Sequence, residues 1–229
     1  MGNKKLFFFL WLGCLLGAWF SLPYQYFLLE LPPSTSYISL FLYVTLEEGI
    51  LSAIACWSSY KILSKIDLKP FKESFKRMIY PGVISGFLAA MLTRLLLNDQ
   101  SILAKVLARS PAWAGVLASV HAAINQEVFY RLFLLSLIFF LTNKLCHNQQ
   151  RYRPYLLWTA NIISSLIFAL LHLIGGFAVG ISSNFEIFQV IWLNGFISLV
   201  FGWLFFSKGF WAASIAHLTF ALVFHGLFA

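Results

Sequence analysis

Charged residues are scarce in this sequence. Only 10% of its 229 residues are Asp, Glu, Lys or Arg, whereas a soluble domain of ordinary composition has about 25%. Hydrophobic residues make up 60% of the chain, and the mean hydropathy is +0.82. A water-soluble protein of this length would have too few charges to cover its surface. The composition therefore excludes an ordinary soluble globule.

The sequence also lacks the motifs of the common hydrolase and metal sites. It has no GxSxG motif and no HExxH motif, and its only two aspartates, Asp67 and Asp99, lie in predicted loops. The cysteines Cys14, Cys56 and Cys146 show no CxxC or Cys/His metal spacing, so we interpret them as packing residues. These absences leave glutamate and histidine as the candidate reactive groups.

Long apolar runs recur along the whole chain, each close to the ~20 residues that cross a bilayer. The predicted fold is all-α: a polytopic helical membrane bundle of about seven transmembrane helices, forming one domain over residues 1–229. The predicted spans are 6–29, 37–58, 78–98, 112–142, 155–176, 186–207 and 209–228. The fourth is too long for a perpendicular crossing of a ~30 Å core, so it must tilt, break or begin in the interface.

Basic residues account for the net charge of +8, and they cluster in short segments between the apolar runs. The main clusters are Lys61–Arg77 and Lys144–Arg153, with Lys4 and Lys5 at the start. If the chain crosses seven times with its N-terminus inside, all three clusters are cytoplasmic, as the positive-inside rule expects. The charge therefore indicates membrane topology and not a nucleic-acid surface.

A few ionisable residues lie in the middle of predicted spans, where a charge costs about 2.5–3.5 kcal/mol on insertion scales. They are Glu47, Glu48, Glu127, Arg131, His172 and His217. Glu127 and Arg131 are four residues apart and share a helix face, so they are expected to form an ion pair, whether structural or catalytic. With the two histidines, a carboxylate supplies what water activation needs.

The adjacent glutamates Glu47 and Glu48 have no basic residue four positions away. Two interpretations stay open: a structural or topological role, or a place on the wall of a substrate cavity. Gly82 and Gly86 form a GxxxG pattern, which indicates close packing of the third span against another helix.

Three motifs in order carry a family resemblance. They are Gln126-Glu127-Val-Phe-Tyr-Arg131, Phe168-Ala-Leu-Leu-His172, and Phe201-Gly-Trp-Leu-Phe-Phe with Trp211-Ala-Ala-Ser-Ile-Ala-His217. Together they resemble the CAAX protease and bacteriocin-processing (CPBP) family of intramembrane proteases, over a family-like catalytic core at about 112–228. The resemblance implies a glutamate-dependent membrane endopeptidase. Glu127 or its neighbour would activate a water, His172 and His217 would orient it and stabilise the oxyanion, and Arg131 would hold the glutamate.

Two positions depart from the family pattern. Gln126 occupies a slot that is commonly glutamate and cannot act as a general base, and Ala221 stands where the family often has asparagine. Asn161 lies on nearly the same helix face as His172 and is a candidate replacement donor to the oxyanion. The departures keep a second hypothesis open, a non-catalytic relative acting as a membrane scaffold or immunity protein. A transporter or channel is a third, but the expected internal symmetry is missing.

The resemblance also sets expectations for partners. It implies a membrane-associated peptide or protein substrate, such as a lipidated tail, a sorting tail or a small secreted peptide. The expected location is the bacterial inner membrane, and the basic clusters predict a cytoplasmic N-terminus. No nucleic acid is expected. No cofactor is certain, although Glu127, His172 and His217 would form a 2-His-1-carboxylate set for a divalent metal such as zinc.

Overall fold

The computed structural model of the chain describes residues 4–71, 73–96 and 109–227. Within these ranges seven long helices form a bundle, and no strand occurs. The helices are α1 Lys4–Leu28, α2 Tyr37–Leu63, α3 Phe75–Leu96, α4 Ala112–Leu145, α5 Arg153–Ala178, α6 Asn184–Ser207 and α7 Phe210–Leu227. The predicted all-α bundle is confirmed. Lys72, Asp99 and the last residues of the predicted third span lie outside the described residues.

The helix lengths suit a membrane. Among the described residues, six helices are long and apolar enough to cross a bilayer, and the apolar stretch Phe210–Gly226 of α7 is shorter. Large hydrophobic side chains such as Ile38, Tyr80 and Ile174 are exposed on the outer faces of the bundle. Such surfaces would be costly in water, but they match the hydrocarbon of a bilayer. The chain is an integral, multi-pass membrane protein.

Helix α4 is continuous over 34 residues, so the break expected as one explanation of its length does not occur. Instead, its turns widen to π-helical geometry over Ala122–Gln126 and Val128–Leu135. A π-helical turn joins residues five apart by hydrogen bonds, and such turns are frequent at functional sites. The candidate residues of this helix, from Gln126 to Arg131, all lie in or between the widened turns.

Helix α7 packs closely against α3. A Cβ atom on Gly86 would collide with the backbone of Ala216, and one on Gly82 would come within 2.8 Å of the Ile215 side chain. The GxxxG pattern of α3 therefore lets the two backbones approach, as predicted from the sequence. At its start, α7 is fixed by a hydrogen bond from the Phe210 N–H to the Pro70 carbonyl, at 2.8 Å.

Two local features set where α6 begins and ends. Ser183 and Glu186 form a reciprocal capping box, in which each side chain accepts a hydrogen bond from the other residue's backbone N–H. At the far end, Gly209 adopts a φ of +116°, a left-handed conformation that side chains rarely allow. The sharp turn there lets α7 fold back beside α6.

Candidate active site

Helix α4 places an ion pair at the centre of the bundle. The side chains of Glu127 and Arg131 have no exposure, and Arg131 Nε lies 3.5 Å from Glu127 Oε2. Arg131 Nη2 donates to the Ser198 carbonyl at 3.1 Å, and the guanidinium carbon lies 5.3 Å from the centre of the Phe168 ring. The predicted pairing of Glu127 with Arg131 is present, and contacts from α5 and α6 hold the guanidinium in place.

His217 of α7 contacts the same carboxylate. Its Nδ1 lies 2.8 Å from Glu127 Oε1. An ionised carboxylate only accepts hydrogen bonds, so Nδ1 carries the donated proton and the lone pair of a neutral imidazole lies on Nε2. The ring packs against Phe201, with centroids 4.9 Å apart. Glu127 therefore fixes both the tautomer and the orientation of His217.

His172 of α5 is oriented by its own helix. Its Nδ1 lies 2.9 Å from the Phe168 carbonyl oxygen, which can only accept, so Nε2 is again the free nitrogen of the neutral ring. The Phe168 ring lies 4.1 Å from the His172 ring and 6.2 Å from the His217 ring, between centroids. One phenylalanine thus packs against both histidines.

Both histidines line a cavity of about 520 Å³. Gln126 lies on the same wall, and the remaining surface is mostly apolar, including Phe168, Leu193, Ile197, Phe220, Ala221 and Phe224. Glu127 and Arg131 do not reach this wall. The structure therefore brings Gln126, His172 and His217 to one cavity, and it places Glu127 behind His217.

A second carboxylate–histidine pair was not recognised in the sequence. His121 of α4 lines the cavity, and its Nε2 lies 3.2 Å from Oε1 of Glu48 on α2. Asn125 donates to Glu48 Oε2 at 3.1 Å and to the Cys14 carbonyl at 2.9 Å. The available signal was that His121 precedes Gln126 by five residues in the same long helix. The neighbouring Glu47 is exposed.

Asn161 does not serve the role considered for it. Its Nδ2 donates to the Leu199 carbonyl at 3.0 Å, and its side chain packs against Gly202 of α6. It is fully buried at the α5–α6 contact and does not line the cavity. Ala221 does line the cavity but has no polar atom to donate. The carboxamide of Gln126 is a hydrogen-bond donor on the cavity wall.

The donor set considered for a metal does not fit the geometry. Among the described residues, no group of three or more His, Cys, Asp or Glu side chains is arranged to hold a metal ion. Glu127 lies behind His217 and contacts its Nδ1, and His172 Nδ1 contacts a backbone carbonyl. The three side chains therefore do not converge on one point.

Comparison with known proteins gives one family. A family model described as type II CAAX prenyl endopeptidase Rce1-like matches residues 108–223. This range covers half of the chain and includes all three motifs together with His121. No curated protein and no solved structure gives a significant match.

Proposed function

The chain belongs to the Rce1-like family of type II CAAX prenyl endopeptidases, and from this we propose that it is an intramembrane endopeptidase that cleaves a peptide with an activated water. Membership confirms the family predicted from the motifs. The observation that carries the proposal is the 2.8 Å hydrogen bond between Glu127 and the cavity-lining His217. It gives a base, with its orienting carboxylate, on the wall of a cavity large enough for a peptide side chain.

The geometry favours His217 as the group that meets the water. Its Nε2 takes a proton from the water, the oxygen attacks the carbonyl carbon, and the buried carboxylate of Glu127 stabilises the imidazolium that forms. Glu127 itself has no exposure and does not line the cavity. In this mechanism it is a positioning residue, whereas the sequence suggested it as the direct base. Arg131 holds its second oxygen.

Two other polar side chains on the cavity wall, His172 and Gln126, have separate roles in this mechanism. His172 Nε2 accepts the second hydrogen of the water and orients its oxygen toward the substrate. The Gln126 carboxamide donates to the oxyanion that develops on the substrate carbonyl. A donor at position 126 would compensate for the missing donor at Ala221. The hydrogen-bond donor that is missing at Ala221 would then be supplied by Gln126, which accounts for both departures from the family pattern.

The apolar wall of the cavity suits a membrane-associated substrate. Phe168, Phe220 and Phe224 can pack against a hydrophobic side chain or a lipid attached near the scissile bond. The family description is that of a CAAX prenyl endopeptidase, and on this basis we propose a lipidated C-terminal tail as the first candidate substrate. We also propose that the protein lies in the bacterial inner membrane with its N-terminus in the cytoplasm, because the basic clusters would then face inward.

The test is cleavage of internally quenched peptides by the purified protein in lipid vesicles. The panel pairs each CAAX-type sequence with its S-farnesyl form. The Glu127→Gln variant should lose activity by about 10²–10⁴-fold, because it keeps the shape but removes the charge that stabilises the His217 imidazolium. The matched control is Glu47→Gln, an exposed carboxylate eighty residues away, which should cleave like the parent. Equal cleavage by Glu127→Gln at equal abundance would reject the mechanism.

The Gln126→Glu variant separates the enzyme from the non-catalytic relative. If Gln126 donates to the oxyanion, the added carboxylate should repel that charge and lower cleavage about 100-fold. If the parent cleaves no peptide in the panel but Gln126→Glu gains cleavage, the chain is a non-catalytic relative that lacks only its base.

A further inference from the structure

The cavity has a second histidine–carboxylate pair that the proposed mechanism leaves unused. His121 Nε2 lies 3.2 Å from Glu48 Oε1, and Asn125 donates to the other oxygen of Glu48 at 3.1 Å. Both carboxylate oxygens are thus engaged, which fixes the carboxylate against the imidazole. Because Nε2 contacts Glu48, Nδ1 is the ring nitrogen of His121 that is left to meet a ligand in the cavity.

The widened turn of α4 places this pair beside the reacting groups. His121 and Gln126 are five residues apart, and the π-helical stretch Ala122–Gln126 joins residues at that spacing on one face. Both side chains line the cavity that His172 and His217 also line. Glu48 reaches this point from α2, outside the segment that matches the family model.

The two pairs differ in how deeply the bundle buries them. The side chains of His121 and Glu48 are 19% and 30% exposed, whereas those of His217 and Glu127 are 7% and 0% exposed. His121 lines the cavity and both oxygens of Glu48 have a partner, so this pair can place an imidazolium beside a carboxylate at the cavity wall. The Glu127 carboxylate already has the Arg131 charge beside it, which leaves His217 neutral and able to act as a base.

We propose that His121, held by Glu48, is the general acid that protonates the leaving amine. This inference rests on the proposed peptidase function. His217 removes a proton from water as the C–O bond forms, and Nδ1 of the His121 imidazolium gives a proton to the amide nitrogen as the C–N bond breaks. The products are a carboxylic acid and an amine. His217 then releases its proton to water and His121 takes one up, which restores both rings.

The test compares two leaving groups. Each quenched peptide that the parent cleaves is made again with a thioester in place of the scissile amide, because a thiolate leaves without needing a proton. His121→Gln should lower amide cleavage by about 100-fold and change thioester cleavage by less than about threefold. Glu48→Gln should show the same selectivity with a smaller loss. Glu127→Gln should lower both reactions, because it acts before the leaving group departs.

The controls are His147→Gln, an exposed histidine in the connection between α4 and α5, and Glu47→Gln, the exposed neighbour of Glu48. Both should retain amide and thioester cleavage. If His121→Gln lowers amide and thioester cleavage equally, or leaves amide cleavage unchanged, the acid role is wrong while the proposed function stands. A parent that cleaves no peptide and no thioester overturns both.

Discussion

Arg131 is the largest fully buried side chain among the described residues. Its charge is neutralised within the bundle by Glu127, at 3.5 Å, and it donates one hydrogen bond to the Ser198 carbonyl. Removing one member of a buried ion pair leaves an uncompensated charge, which costs more than the pair itself contributes. The stability of the bundle and the order of the site therefore depend on the same two residues.

A double substitution should show this dependence. Arg131→Met should lower the free energy of unfolding by about 3–5 kcal/mol, because it leaves the Glu127 carboxylate unpaired. Adding Glu127→Gln to Arg131→Met should recover much of that loss without restoring cleavage. The measurement is thermal unfolding in detergent micelles, with the exposed Arg77→Met as the control. A single Arg131→Met variant as stable as the parent would contradict the expectation.

The contacts of the Glu127 and Glu48 carboxylates show which side-chain contacts can be predicted from the sequence. Glu127 and Arg131 are four residues apart on one helix, so their pairing follows from helical periodicity. His121 and Glu48 are 73 residues apart on different helices, and no local pattern connects them. Sequence reasoning left Glu48 between two interpretations and did not select His121. The role of Glu127 was open for a similar reason, because periodicity does not tell which of two neighbours reaches a cavity.

At the level of helices, the contact between α3 and α7 controls the position of His217. Gly86 of α3 lies against the backbone of Ala216, the residue before His217. An added methyl group would collide with backbone and not with a flexible side chain. The α7 backbone would have to move, and the imidazole would move with it.

Gly86→Ala should therefore reduce cleavage at least tenfold while the protein stays in the membrane, because a displacement of about 1 Å at a catalytic group can cost 10²-fold. The matched control is Gly195→Ala on α6, where an added Cβ would meet only the Ala169 Cβ at an ordinary 3.8 Å. Activity is measured per amount of membrane-inserted protein. Parent-like cleavage by Gly86→Ala would show that α7 tolerates the shift.

The helices themselves were largely predictable from the sequence. Apolar runs predicted the seven helices within a few residues, because a bilayer requires nearly continuous hydrophobicity over a fixed length. The π-helical turns of α4 were not predictable in this way. From the sequence, the excess length of this helix had to be met by tilting, breaking or an interfacial start. Hydrophobicity indicates which residues are buried, but it does not indicate whether the backbone hydrogen bonds join residues four or five apart.

For the whole molecule, orientation in the membrane is the open prediction. If all seven helices span, the N-terminus lies in the cytoplasm and the C-terminus outside, because both long basic clusters then face inward. Cys146 provides a natural probe in the connection between α4 and α5, since it is partly exposed while Cys14 and Cys56 are buried.

An impermeant maleimide should label Cys146 only after the cells are opened. The Cys146→Ser variant, which leaves the two buried thiols, is the control for background. A cysteine introduced at Ser34, between α1 and α2, should label in intact cells. Strong labelling of Cys146 in intact cells would reject the orientation.

The widened turns of α4 have a consequence for how this helix tolerates a change of length. A π-helical turn contains one residue more than the α-helical turn it replaces, so it behaves as a stored insertion. Deleting Ala122 or Ala123 would let the turn tighten to α-helical geometry, and His121 and Gln126, then four residues apart, would still share a helix face. A residue added to a helix that stayed α-helical would instead rotate one half by about 100° against the other. Loss of a single codon in this turn would therefore leave both histidine pairs beside the cavity.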